Sequence, residues 1–171
     1  MNAYVLIGGR SRRMGTSKAD LFLDRIVDAA RPVFDDVIAV DRADGVARDG
    51  IRTIFESPHD GEAPVFGVQR ALEDARDRAF LLAVDYPFIT SDVLRFLRDD
   101  GGVPMWDGEP QPLCCVWDAS ILPRIAERIA RGALDLRGLL GKKMIAEAEL
   151  RARFAGEPLR NVNSAEEWKS G

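Results

Sequence analysis

Residues 8–18 place three glycines (Gly8, Gly9 and Gly15) and four cations (Arg10, Arg12, Arg13 and Lys18) in eleven positions, directly after an apolar run. Glycines adopt backbone angles closed to other residues and let the chain approach a ligand closely, and successive backbone N–H groups can then converge on an anion. With four positive side chains beside it, such a loop is suited to phosphate. Two familiar phosphate motifs do not fit. Five residues separate Gly9 from Gly15, and Lys18 lies three positions further on, so the spacing is not that of a Walker A loop. Gly8-Gly9-Arg10-Ser11 does not give the G-x-G-x-x-G spacing of a dinucleotide fold either. Two acids, Glu56 and Asp85, follow other apolar runs. A carboxylate beside phosphates can hold Mg²⁺, a hard cation bound through one or two carboxylates plus phosphate oxygens and water.

The elements that must position these groups alternate between buried strands and amphipathic helices, the pattern of a mostly parallel sheet covered on both faces. Residues 3–7, 37–40, 51–55 and 79–84 read as strands, the last being the most apolar run in the chain. Leu21, Phe22, Ile26, Val27 and Ala30 recur at helical spacing up to Pro32, and Val65, Val68, Ala71, Leu72 and Ala75 form a second stripe over 64–75. Thr90 or Ser91 caps a helix carrying Val93, Leu94 and Leu97. Residues 103–106 and 112–117 read as two strands, with Asp107-Gly108 as turn chemistry. Helices are expected over 120–130, near 134–140, and over 164–169 behind the capping box Ser164-Ala-Glu-Glu167. In an open α/β sheet ligands bind beyond the carboxyl ends of the strands, where the glycine loop, Glu56 and Asp85 all fall.

The chain has 171 residues, 46% hydrophobic and 30% charged, which suits one domain over 1–171 with a substantial core. Its net charge of −4 speaks against an extended nucleic-acid surface, so the cations near the N-terminus form a local site on an acidic body. No stretch approaches the roughly 20 apolar residues of a membrane span, and no signal peptide precedes the first strand, so a cytoplasmic protein is expected. Cys114 and Cys115 are adjacent and point to opposite faces of a strand, which makes a bond between them strained and plain burial the natural role. The single histidine, His59, excludes a His-rich zinc site and sits among loop formers.

Leu6-Ile-Gly-Gly-Arg-Ser-Arg-Arg-Met-Gly-Thr-Ser-Lys18 resembles the L-x-G-G-x-S-x-R-M-G-x-x-K signature of the MobA-like nucleotidyltransferase family, the molybdenum cofactor guanylyltransferases. Further segments follow the family's order. Pro64-Val-Phe-Gly67 is similar to its G-P-L-x-G, Ala83-Val-Asp-Tyr-Pro-Phe88 to its C-D-x-P-F/Y, Gln111-Pro-Leu113 to its x-P-L/T, and Asn161-Val-Asn-Ser-Ala-Glu-Glu167 to its N-V-N-T-P-E-E. The resemblance implies a Rossmann-like nucleotidyltransferase fold. It implies nucleotide binding by Leu6, Ile7, Gly8, Gly9, Gly15, Lys18, Glu56, Gly67 and Asp85. It also gives Asp85 the catalytic Mg²⁺, Arg13 and Lys18 the triphosphate, and Asn161 and Asn163 the second substrate or metal side. On residue chemistry alone, Asp85 also suits a helix-entry turn and the two asparagines suit turn formation.

The activity so implied is transfer of GMP from GTP to molybdopterin phosphate with release of pyrophosphate, together with transient contact with molybdoenzyme maturation proteins. Gly8-Gly9 matches the guanylyltransferase L-A-G-G and not the L-A-A-G of relatives that use CTP. Glu56 keeps a carboxylate where the guanylyltransferases carry an aspartate, and a carboxylate can accept from guanine N1–H and the exocyclic amine. A cytidylyltransferase of the same fold and a non-catalytic nucleotide-binding adaptor are the alternatives. Two departures stand out: Lys18-Ala-Asp-Leu-Phe-Leu23 enters its helix without the family's short turn, and Val40 stands where an asparagine after the second strand is expected.

Overall fold

A computed structural model describes residues 1–8, 18–58, 62–141 and 143–162. Its main sheet has five strands, β1 (Ala3–Leu6), β2 (Val37–Asp41), β3 (Arg52–Phe55), β4 (Arg78–Ala83) and β7 (Cys114–Asp118), in the order β3-β2-β1-β4-β7. The first four are parallel, and β7 closes the edge antiparallel to β4. A smaller sheet orders β6 (Glu109–Pro110), β5 (Val103–Trp106) and β8 (Met144–Ile145) as β6-β5-β8.

The strands are apolar on both sides because helices cover both faces, as parallel sheets require. On one face Ala3, Val5, Val37, Ala39, Phe80 and Leu82 pack with α1 (Lys18–Ala30) and α3 (Ser91–Asp100) through Phe22, Ile26, Val93, Leu94 and Leu97. On the other, Tyr4, Ile38, Val40 and Leu81 pack with α2 (Pro64–Ala75) and α4 (Leu122–Ala130) through Val65, Val68, Leu72 and Ile125. Cys114 belongs to the first face and Cys115 to the second, both fully buried, as their adjacency on a strand demands.

Local chemistry sets the ends of these elements. Pro64 begins α2, where its missing N–H costs nothing. Thr90 is the residue that caps α3, accepting from the Val93 N–H, while Ser91 Oγ donates to the Ala29 carbonyl and ties α3 to α1. Several expectations need correction. The 103–106 and 112–117 strands are not partners: Asp107 and Gly108, both at positive φ, turn β5 into the two-residue β6, and β7 crosses to the main sheet because its Cys-Cys-Val-Trp run is apolar on both sides. Near 134–140 only a 3₁₀ turn forms, at Arg137–Leu139, and another at Ala119–Ile121 precedes α4. A helix not anticipated, α5 (Glu147–Arg153), carries acids in its first turn and arginines in its last, matching the helix dipole. The helix expected over 164–169 and the loop position of His59 lie outside the described residues. Among the described residues no helix is long and apolar enough to cross a membrane.

Candidate active site

The chain runs β1, β2, β3 to one side of β1 and then returns to place β4 on the other, so β1 and β4 flank the point where strand order reverses. Their carboxyl ends are in register: Leu6 pairs with Val40 on one side and Ala83 on the other, and Asp41 pairs with Phe55. Residues that leave these four strands therefore emerge along one edge, the position at which open α/β sheets bind ligands. Ile7 N–H still donates to the Val40 carbonyl, at 2.9 Å, and Val84 N–H to the Leu6 carbonyl, at 3.2 Å, so the ladder holds the loop entrances rigid.

Gly8 is the first residue past this ladder, and a Cβ there would lie 2.9 Å from Arg42 Cγ and 3.1 Å from the Arg42 amide nitrogen. Only glycine fits so close an approach without displacing backbone. Lys18 opens α1. Gly9, Arg13, Gly15 and Asn163 lie outside the described residues, so the structure brings together only part of the expected loop.

Leu6, Glu56 and Gly67 do converge. A Cβ on Gly67, in the first turn of α2, would lie 3.0 Å from Glu56 Oε1, 3.0 Å from Leu6 Cδ2 and 3.2 Å from Leu6 Cγ. The Glu56 N–H donates to the Asp41 carbonyl at 2.9 Å, and Arg70 Nε on α2 donates to the Phe55 carbonyl at 3.0 Å, which fixes the end of β3 against the helix. The glutamate carboxylate thus rests against backbone that has no side chain, at the entrance to α2.

Asp85 is half-buried in the turn that follows β4. Its carbonyl accepts from the Val162 N–H at 3.0 Å, which sets the exposed Asn161 beside the Asp85 turn. Tyr86 is buried, and burial, followed by the negative potential of Cys114 and Asp85, pushes its phenol well above the ordinary tyrosine range.

Two residues escaped sequence reasoning. Val40 is not the residue after the second strand: it is buried within β2, which continues one position further, so the strand ends in Asp41. Asp41 is the one buried charged residue among those described. Its Oδ1 accepts from the Arg42 N–H at 2.8 Å, and Gly45 packs so tightly on its carboxylate that there is no room for a Cβ. Arg42, whose stem covers Gly8, pairs with Asp44 and with Glu62, each at 3.1 Å. The Asp-Arg doublet that ends an apolar run was the available signal. A separate cleft of about 360 Å³, lined by Trp117, Ile121, Arg124 and Leu139 among others, sits at the end of β7 that pairs with the start of β4, opposite the edge just described.

A parallel sheet of this order, with a glycine at the close approach after β1 and an acid in the turn after β4, has the architecture of a nucleotidyltransferase. The chain belongs to the MobA-like NTP transferase domain family, whose model matches residues 3–149. A "Probable molybdenum cofactor guanylyltransferase" of Mycobacterium bovis is 30% identical over 189 aligned positions, covering 94% of this chain and 88% of that protein. A relative of the same description from Clostridium perfringens is 29% identical over 132 residues, 70% of this chain and 66% of that protein. The chain thus spans just under two thirds of that protein's length. Among solved structures, molybdopterin-guanine dinucleotide biosynthesis protein A from Archaeoglobus fulgidus superposes with a TM-score of 0.80 at 23% identity, covering 99% of this chain and 96% of that one. That likeness establishes the fold, and the family makes the protein a nucleotidyltransferase.

Proposed function

We propose that this protein, one domain over residues 1–171, is a cytoplasmic Mg²⁺-dependent guanylyltransferase that moves GMP from GTP onto the terminal phosphate of molybdopterin. The observation that carries the reading is the meeting of Glu56, Gly67 and Leu6 at the strand edge that also presents Gly8. An acceptor carboxylate held against bare backbone suits a base offering two donors on one edge, as guanine does and cytosine does not. The guanylyltransferase descriptions of the sequence relatives support the same substrate.

In the reaction an oxygen of the molybdopterin phosphate attacks the α-phosphorus of GTP. A new P–O–P bond forms, the bond from the α-phosphorus to the bridging oxygen breaks, and pyrophosphate departs. A phosphate nucleophile is already ionised at neutral pH, so no general base is required and catalysis is alignment and charge stabilisation. Backbone N–H groups of Gly8, Gly9 and Gly15 cradle the triphosphate, Arg13 and Lys18 neutralise its β and γ groups, and Asn161 and Asn163 border the acceptor.

Asp85 suits the metal. The described residues form no group of three or more acid, histidine or cysteine side chains able to hold an ion. A single carboxylate fits Mg²⁺, which takes its remaining ligands from substrate phosphates and water. When bound, Mg²⁺ would supply charge neutralisation at the α-phosphate. The molybdopterin product would pass to molybdoenzyme maturation proteins through transient contact.

Calorimetric titration of GTP against CTP in the presence of Mg²⁺ tests the assignment. Tighter binding of GTP is expected; a preference for CTP would transfer the assignment to a cytidylyltransferase of the same fold.

A further inference from the structure

The turn that carries Asp85 is fastened partly through a residue pair that the proposed chemistry does not use. Tyr86 is 4% exposed, and its Oη donates a 2.8 Å hydrogen bond to Oε1 of Gln111, 25 residues away. Gln111 lies between β6 and β7, and its Nε2 donates to the carbonyls of Trp106 and Glu109, both at 3.1 Å. Its backbone is fixed as well: its N–H donates to the Pro104 carbonyl at 2.8 Å, and its carbonyl accepts from the Cys114 N–H at 3.1 Å. The amide can sit only one way round, because turning it over would set Oε1 against two carbonyls.

A phenylalanine would fill the same apolar space as Tyr86 without bringing a hydroxyl into the core. A buried hydroxyl is tolerated when it finds a partner, and its net gain in stability is small. Packing alone therefore does not account for a phenol aimed at an amide whose two N–H groups clamp both strands of the β5–β6 hairpin. What the bond does is fix direction. It ties the residue next to Asp85 to the smaller sheet, while the Val162 N–H holds the Asp85 carbonyl and the Ile89 N–H holds the Tyr86 carbonyl at 3.1 Å.

We infer that the Tyr86–Gln111 hydrogen bond is a positioning device: it sets the Asp85 carboxylate for the metal and couples that setting to the β5–β6 hairpin. The inference rests on the reading of Asp85 as the metal acid. Tyr86 is buried and the Gln111 amide is spent on the Tyr86 hydroxyl and two carbonyls, so the pair acts through Asp85, and its loss weakens metal binding more than it weakens nucleotide binding.

The test uses the full chain with Mn²⁺ as the probe, titrated calorimetrically in the presence of a non-hydrolysable GTP analogue, on wild type, Tyr86→Phe, Gln111→Met, the double variant and Asp85→Asn. Tyr86→Phe is expected to raise the Mn²⁺ dissociation constant about threefold to tenfold, the effect of one neutral hydrogen bond. Metal-free affinity for the analogue should stay within about twofold. Gln111→Met, which also removes the two bonds to the Trp106 and Glu109 carbonyls, should move the metal constant in the same direction, and the double variant should go no further than the larger single effect, since the Tyr86–Gln111 bond is common to both. The Mg²⁺ concentration for half-maximal pyrophosphate release should rise in parallel. An unchanged Mn²⁺ constant in Tyr86→Phe, with only a lower melting temperature, would overturn the inference and leave Tyr86 a packing residue. Asp85→Asn separates the two levels. If it abolishes Mn²⁺ binding while Tyr86→Phe does not alter it, the positioning role alone fails; if Asp85→Asn binds Mn²⁺ as wild type does, the metal reading of Asp85 fails and the positioning role with it.

Discussion

A methyl group added at Gly67 would meet Glu56 Oε1 and Leu6 Cδ2, each at 3.0 Å, and one of the two would have to give way. Gly67→Ala is therefore expected to cost about 1–3 kcal/mol of stability by overpacking. Because the carboxylate is one of the groups displaced, it should also raise the KM for GTP about tenfold with a smaller change in kcat, the pattern of a lost binding contact. Steady-state kinetics and thermal melts check both; an unaltered KM would detach Glu56 from the nucleotide. Lys18→Ala and Asp85→Ala should each lower turnover about 100-fold or more, as loss of a charge-stabilising group does, while the melting temperature moves by only a few degrees. Full activity in either would remove that residue from the site. The positions of Glu56 and Asp85 just past β3 and β4 were legible because each follows a recognisable apolar run, while Gly67 entered through the family resemblance of the Pro64-led segment. Asp41 and Arg42 were not. The apolar run ends at Val40, and β2 carries both its pairing and its burial one residue further, to a charged side chain.

Three elements of the main sheet region meet at a charged cluster on α2. Asp74 accepts a two-pronged pair of bonds from Arg52 of β3, at 2.6 and 3.0 Å, and a 2.9 Å bond from the Tyr4 hydroxyl of β1. Burial raises the Asp74 carboxyl, but the bonds from Arg52 and Tyr4 outweigh it and hold the group below its ordinary value. A carboxyl lowered in the folded state lends stability that is present above its unfolded value, near 3.8, and is lost as pH falls through the folded one. Tyr4 has the opposite sign. Burial first, then the bond to Asp74, pushes its phenol up to about 12, so its contribution is complete below the ordinary value of 10.0 and fades as pH rises toward 12. Thermal melts across pH should therefore fall at both extremes, and Asp74→Asn should flatten both arms. Equal slopes in wild type and variant would contradict the assignment. The element pattern itself was largely readable: α2 spans the residues its apolar stripe marked, and Thr90 caps α3. The exceptions share a cause. In β6, β8 and α5 the segments are short, so periodicity has little length in which to declare itself, and tertiary pairing decides their state.

At the scale of the whole molecule, the sheet order β3-β2-β1-β4-β7 brings the carboxyl ends of β1, β2, β3 and β4 to one edge, between two helical layers. The smaller sheet is joined to that edge through Gln111 and Tyr86. Alternating apolar and amphipathic runs revealed the parallel sheet, and motif order along the chain revealed the family. The edge strand β7 was legible as a strand, but its antiparallel pairing with β4 was not, because an apolar strand carries no mark of its direction. Guanylyl transfer is tested most directly by pyrophosphate release on mixing the protein with GTP, Mg²⁺ and molybdopterin. Release that depends on all three, and that is much slower when CTP replaces GTP, is the predicted result. Tight binding of GTP with no pyrophosphate released in the presence of molybdopterin and Mg²⁺ would contradict it.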